Sequence, residues 1–349
     1  MDRISVVIPH AGGEAILGEC LGRLAQTRDI EIELIIVVNG TTEKIPQTVV
    51  SQFRNPQVLE FPDRIGFAAA CNRGIDASAC ELGILLNNDA VVNPNTLKIL
   101  TDAMISAPNA AACQPKLLSS REDGKFDYSS AAGGEIDRFG FPFAHGRVFD
   151  TVEVDSGQYN LDAKVFWAAG AALMVRREVY LKAGGLEERF FAHMEEIDLC
   201  WRFHLMGYNV LTVTAAIVYH AGAMTIKEDS SLKIYLNHRN SQAMLFRCYG
   251  TFSLLKYMPI RELLDLTLIF RSIILFDFKR ILAVLRAKCW IWYSLHYLII
   301  SRRNVQRLRT VNEQAILNLI YPRSVVWDYF ILKLRTWDKL QVSWKRHLR

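Results

Sequence analysis

The chain has 349 residues, 51% of them apolar, with 41 Lys and Arg against 36 Asp and Glu. That length holds one catalytic domain of ordinary size plus a sizeable appendage, and the apolar content excludes general disorder. The net charge of +5 hides a split: residues 1–226 carry 19 basic and 28 acidic side chains, a balance of −9, whereas 227–349 carry 22 and 8, a balance of +14.

The seven cysteines include no C-x-x-C spacing, and no basic-then-apolar leader opens the sequence. A reducing, cytosolic setting without a disulfide framework or zinc ribbon is therefore expected.

The first 110 residues alternate regularly. Ile4–Ile8 predicts a strand closed by Pro9, Glu14–Gln26 a helix, and Leu34–Val38 a strand closed by Asn39-Gly40. Val58–Glu60 predicts a short strand, Gly66 to Ala79 a helix, and Leu82–Leu86 a further strand. Such alternation implies right-handed crossovers and an α/β fold with a mostly parallel sheet flanked by helices. The strand ends then share one edge, where open α/β sheets bind ligands.

Leu85–Val92 ends its apolar run in Asn87-Asn88-Asp89, which delivers one carboxylate to that edge. Asx residues capping a helix near Pro94 are the plainer explanation of the triplet. The sequence has neither G-x-G-x-x-G after its first strand nor G-x-x-x-x-G-K-[ST] anywhere, so a divalent metal is expected to bind phosphate instead.

Ser119–Gly157 reads as a loop-rich insertion rich in Gly, Ser and charge, with Phe139–Phe143 as a packed turn or a lid. Trp167 followed by the small residues Ala168–Ala172 fits either a buried strand or an aromatic face beside backbone that a ligand can approach closely. Glu195-Glu196-Ile197-Asp198 opens a helix that stops at Gly207, placing acids where the helix dipole favours them and Asp198 one turn from Arg202. A strand, Ala216–Tyr219, leads into His220.

From Leu254 to Ile300 the sequence is crowded with Leu, Ile, Phe and Trp, yet charges recur throughout. A spanning helix needs ~20 nearly uncharged residues. Ile281–Trp292 reads instead as a helix lying in a membrane interface, basic residues toward headgroups and Trp and Leu toward acyl chains. A basic-faced helical subdomain packed on the catalytic part is the plainer alternative. A nucleic-acid arm does not need this much Leu, Ile and Trp.

Taken in order, Ile4–Pro9, Val37–Thr41, Gly66-Phe67 with Asn72-Arg73-Gly74, Asn87–Asp89, Trp167–Ala171, Gly184-Gly185-Leu186, Phe190-Phe191, Glu195–Arg202, Gly207-Tyr208, His220 and Arg239-Asn240 resemble the family-2 inverting glycosyltransferases of the GT-A fold. The resemblance covers about residues 3–245 and is strongest to the rhamnosyltransferase-like branch. It implies a GT-A catalytic domain over 1–226, while the charge split and the composition set off 227–349 as a basic, apolar helical region expected to associate with membrane.

The resemblance assigns Asp89 and His220 to Mg²⁺ or Mn²⁺, and Pro9, Asn39, Arg64, Gly66, Asn72, Asn87 and Asn88 to the nucleotide sugar. It places Trp167 and Gly170 at the sugar and acceptor. An inverting transfer needs a carboxylate to take the acceptor's proton; Glu196 aligns with the family's catalytic aspartate, with Asp198 and then Glu195 as second and third choices. Two departures stand out: Val38 replaces an aspartate that contacts the pyrimidine base, and Glu196 is one methylene longer than the family residue.

The implied activity is transfer of a sugar, best matched by L-rhamnose from dTDP-rhamnose, to a glycan or lipid-linked glycan acceptor in cell-surface polysaccharide synthesis. Work at the cytoplasmic, inner face of the cell membrane, on an anionic surface and without nucleic acid, completes the expectation. A sugar-nucleotide pyrophosphorylase and a non-catalytic scaffold on a degenerate transferase fold are the alternatives.

Overall fold

The computed structural model describes residues 2–129, 131–222 and 230–347, the last three as backbone. The boundary expected between 226 and 227 lies outside these residues. The chain begins with β1 (Arg3–His10), α1 (Glu14–Leu24), β2 (Glu31–Asn39), α2 (Gln47–Val50), β3 (Gln57–Phe61), α3 (Phe67–Ala77), β4 (Leu82–Leu86), β5 (Ala90–Val92) and α4 (Thr96–Ser106). The four parallel strands β3, β2, β1 and β4 stand side by side. β1, β2 and β4 are near-continuous apolar runs with their central residues buried, as strands covered on both faces must be. Helix α3 lies close on β1 because Gly74 has no side chain: a Cβ there would meet Val7 Cγ1 at 2.1 Å.

Strands β6 (Ala110–Ser119), the short β7 to β11 (Gly134–Ile136, Pro142–Ala144, Arg147–Val148, Thr151–Val152 and Ala163–Val165) and β12 (Ala172–Arg176) follow. Then come α5 (Arg177–Lys182), α6 (Glu195–Leu205) and β13 (Asn209–His220). β12 inserts antiparallel between β4 and β6, and β13 lies parallel to β6. A register shift between Val213 and Ile217 re-aims the end of β13, so that Val218–His220 pair with β6 and with β5 together. This double pairing carries His220 to the edge reached by Asp89.

The segment expected as a loop-rich insertion forms a second sheet, ordered β10-β9-β8-β7. Its Phe143 is fully buried with Tyr321, Val325 and Trp337 in a second core, while Phe139 packs edge-on to Tyr257, so the aromatic cluster is packed.

Beyond the sheet run α7 (Ser231–Cys248), α8 (Thr251–Ile274), α9 (Phe278–Tyr293), α10 (Leu295–Arg307), α11 (Glu313–Leu319), α12 (Val325–Phe330) and α13 (Trp337–His347). Helix α7 packs on α6 and carries α9 and α10, while α12 and α13 supply residues to the second core. Among the described residues no helix is long and apolar enough to cross a membrane.

Candidate active site

Asp89 and His220 converge at the carboxyl edge of the sheet. Both are buried, with His220 Nε2 3.1 Å from Asp89 Oδ1, and the Asn87 amide also lies 3.2 Å from Nε2. The other ring nitrogen, Nδ1, is 3.2 Å from Oδ2 of Asp127. Burial alone pulls the imidazole's pKa down, but its bonds to Asp127 and Asp89 outweigh that and raise it to about 10. Asp127 is the residue the sequence did not disclose: it arrives through pairing of Phe126 with Leu118 beside β6, a contact without a local signal. Asn87 to Asp89 do not cap a helix; the cap of α4 is Asn95. Asn88 instead donates to the Gly12 carbonyl and faces His10 Nδ1, joining this turn to the loop after β1.

The second half of the site is the start of α6. Phe191, His193 and Met194 all have positive φ, between 65° and 72°, a region costly for residues with side chains. The strain is held in place from α7. The Asn240 amide nitrogen lies 2.7–3.0 Å from the carbonyls of Phe190, Ala192 and His193, and Arg239 donates to those of Arg189 and Phe190. From the sheet side, Phe67 N–H bonds the Phe191 carbonyl at 2.9 Å, and Gly66 is needed because a Cβ would lie 2.8 Å from the Phe191 ring. The paired motifs Gly66-Phe67, Phe190-Phe191 and Arg239-Asn240 are thus one physical unit.

The three acids of α6 have different surroundings. Asp198 is fully buried and occupied, with Arg202 Nε at 2.8 Å and Arg247 Nη1 at 3.2 Å. Glu195 is buried, and its Oε2 has no hydrogen-bond partner among the described residues; burial, with the charges of Glu196 and Asp198, pushes its carboxyl well up. Glu196 is half-buried with an equally unpartnered Oε2, and burial raises its carboxyl to about 7.

The remaining sequence assignments divide. Pro9, Gly66, Asn87 and Asn88 lie along the strand ends, and exposed Arg64 reaches the Ala11 carbonyl beside them. Asn39, assigned by the resemblance to the nucleotide sugar, has its amide taken by the loop it abuts: Oδ1 accepts from Ile65 N–H and Nδ2 donates to the Gly66 carbonyl. Asn72 is an internal brace, bonded to both backbone groups of Leu186, to the Tyr180 hydroxyl and to Glu188. Trp167 is 2% exposed, stacked over Gly134 with its N–H on the Glu135 carbonyl, so it offers no open face to a sugar. Gly170 lies next to the Phe67 ring. Glu43, which the sequence did not single out, accepts the Gly13 and Glu14 N–H groups at the start of α1.

The model of glycosyl transferase family 2 matches residues 5–180. The chain belongs to that family. Over 241 residues, 64% of the chain and 78% of the relative, it is 26% identical to the N-acetylglucosaminyl-diphospho-decaprenol L-rhamnosyltransferase of Mycobacterium tuberculosis. Among solved structures it resembles Staphylococcus aureus TarS 1–349 in complex with UDP-GlcNAc, with a TM-score of 0.54, 14% identity, and coverage of 92% of this chain and 93% of that one. It also resembles GalNAc-T7 crystallised with UDP, GalNAc and Mn²⁺, with a TM-score of 0.53 and 15% identity over 69% of this chain and about half, 48%, of that one. The fold is the GT-A α/β fold, and the protein is a rhamnosyltransferase-like glycosyltransferase. Membership sets aside the pyrophosphorylase, and the rhamnosyltransferase relative supports a glycosyltransferase over the non-catalytic scaffold.

Proposed function

We propose that this glycosyltransferase moves L-rhamnose from dTDP-rhamnose, with inversion, to a hydroxyl of a lipid-linked glycan in cell-surface polysaccharide synthesis. Support for the sugar and acceptor class comes from the name of the mycobacterial relative. The observation that carries the chemistry is the contrast on α6: Asp198 is paired with two guanidinium groups, whereas Glu196 has a carboxylate oxygen without a partner among the described residues.

Glu196 is the base in this reading. Its raised pKa makes the carboxylate a stronger proton acceptor than an ordinary glutamate while leaving it ionised above neutrality. Glu195, buried beside it, stays protonated and lets its neighbour ionise first. Asp198 is a positioning residue that fixes the first turn of α6 through Arg202 and Arg247.

Asp89 and His220 fit a divalent cation held jointly with the donor's phosphates. Their ligand atoms adjoin, and among the described residues no group of three or more His, Cys, Asp or Glu forms a self-sufficient metal cage. When bound there, a divalent cation would supply positive charge to the diphosphate leaving group. Asp127, 3.2 Å from Nδ1, would hold the His220 ring so that Nε2, beside Asp89, could serve as the nitrogen ligand. The work takes place on the cytoplasmic face of the cell membrane, with the basic C-terminal region against an anionic surface; no nucleic acid is involved.

Calorimetric binding of dTDP-rhamnose with Mn²⁺, Mg²⁺ or EDTA tests the assignment. Asp89→Ala is expected to lose the metal-dependent part of binding, and Glu196→Gln to keep it while losing turnover. Metal-independent binding would overturn the cation's role, and an active Glu196→Gln would overturn the base.

A further inference from the structure

The apolar residues of the C-terminal region are not evenly placed. At the turn joining α8 to α9, Phe270, Ile273, Ile274, Leu275, Phe276 and Phe278 are each 52–77% exposed. A contiguous apolar tip of this kind marks an interaction surface. Arg271 and Lys279 flank it, both exposed, while Asp277 is taken by Arg280 at 3.1 Å.

The hairpin's direction follows from its contacts with α7. Arg286 lies over Tyr235 at 5.1 Å and Trp290 under Arg239 at 4.8 Å, so α9 runs parallel to α7. Lys288 and α7's Gln242 and His238 meet on Asp265; because the short turn after Ile274 leads straight to Phe278, contact this far from the turn means that α8 doubles back along α9, antiparallel to it and to α7. The tip therefore lies at the end where α7 starts. From Arg286 back to Phe278 is about 12 Å of helix, and from Tyr235 back to Ser231 about 6 Å, so the tip projects about 6 Å past α7.

We propose that this α8–α9 tip is the membrane-docking element, inserting its phenylalanines and aliphatic side chains into an anionic leaflet. The inference rests on the peripheral-membrane reading above and assigns its contact. Charge complementarity selects the occupant: the tip is rimmed by cations, in a region with a balance of +14. A shallow apolar wedge with basic flanks binds in the interface without spanning it.

The test is co-sedimentation of the full chain with vesicles of phosphatidylcholine alone or of equimolar phosphatidylcholine and phosphatidylglycerol. Its variants are Phe276→Asp with Phe278→Asp, and Arg271→Glu with Lys279→Glu. All four residues are exposed, and circular dichroism checks that the fold is kept. Wild type is expected to bind the anionic vesicles, the first variant to bind at least ten-fold more weakly, and the second to lose the preference for anionic lipid. If wild type binds and both variants match it, the tip is overturned while membrane attachment stands. If wild type binds neither vesicle, both fail. If wild type self-associates in sedimentation velocity and the Asp variant does not, the tip covers a second copy and the lipid assignment is overturned.

Discussion

Asp127 lies 3.2 Å from Nδ1 of His220, on the side of the ring opposite Asp89. Its carboxyl is buried, yet the bonds from His220 and Ser129 hold it below the usual carboxylate range, so it is an anion positioned to fix the imidazole. A histidine oriented in this way is the usual partner arrangement behind a metal ligand, and removing the outer partner typically weakens metal binding about 10- to 100-fold.

Asp127→Asn is therefore expected to raise the Mn²⁺ concentration needed for half-maximal turnover by about that factor, with kcat at saturating metal much less affected. Metal titrations of initial rate measure it. An unchanged metal requirement would reduce Asp127 to a packing residue.

Glu196 connects activity and stability through one pKa. The folded chain retains its proton up to about 7, whereas the unfolded chain releases it in the ordinary glutamate range, so ionisation in the fold costs stability as pH rises through that window. Glu196→Gln is expected to raise stability at pH 8 by on the order of 1–3 kcal/mol and to leave it unchanged at pH 4. Turnover should fall by about 100-fold or more, and wild-type kcat should rise with pH through about 7. Paired melting curves and a pH–rate profile show both effects.

Asn240 holds three backbone carbonyls in the strained approach to α6. Asn240→Ala should cost about 1–3 kcal/mol in stability, because buried acceptors lose their donor. It should also lower kcat more than it raises the donor's KM, since the loop presents Glu196 and does not contain Asp89. A loss confined to stability would assign Asn240 to the fold alone.

Asp198→Ala leaves Arg202 and Arg247 buried without their shared carboxylate. The expected result is destabilisation of about 3–5 kcal/mol, seen in urea unfolding. A stable, inactive Asp198→Ala would transfer the base role from Glu196 to Asp198.

Which parts were legible follows from the range of the interactions. The parallel strands announced themselves because doubly covered strands must be apolar throughout, and Asp89 because polarity returns only where such a strand ends. Asp127 was hidden because it reaches His220 through distant strand pairing. Trp167 misled because an aromatic beside small residues reads alike whether it stacks on a sugar or, as here, on Gly134. Asn39 and Asn72 carry the family's pattern, but the pattern does not show that their amides are consumed by neighbouring backbone. The small second sheet escaped because strands of two or three residues have no periodicity to read.

The most direct test of the account is nucleoside-diphosphate release from a panel of sugar nucleotides by the purified protein, with Mn²⁺, Mg²⁺ or EDTA and a lipid-linked glycan acceptor, alongside Glu196→Gln and Asp89→Ala. The account predicts release from dTDP-rhamnose that needs metal and both carboxylates. Release that survives EDTA or either substitution, or no release from any donor on the panel, would contradict it.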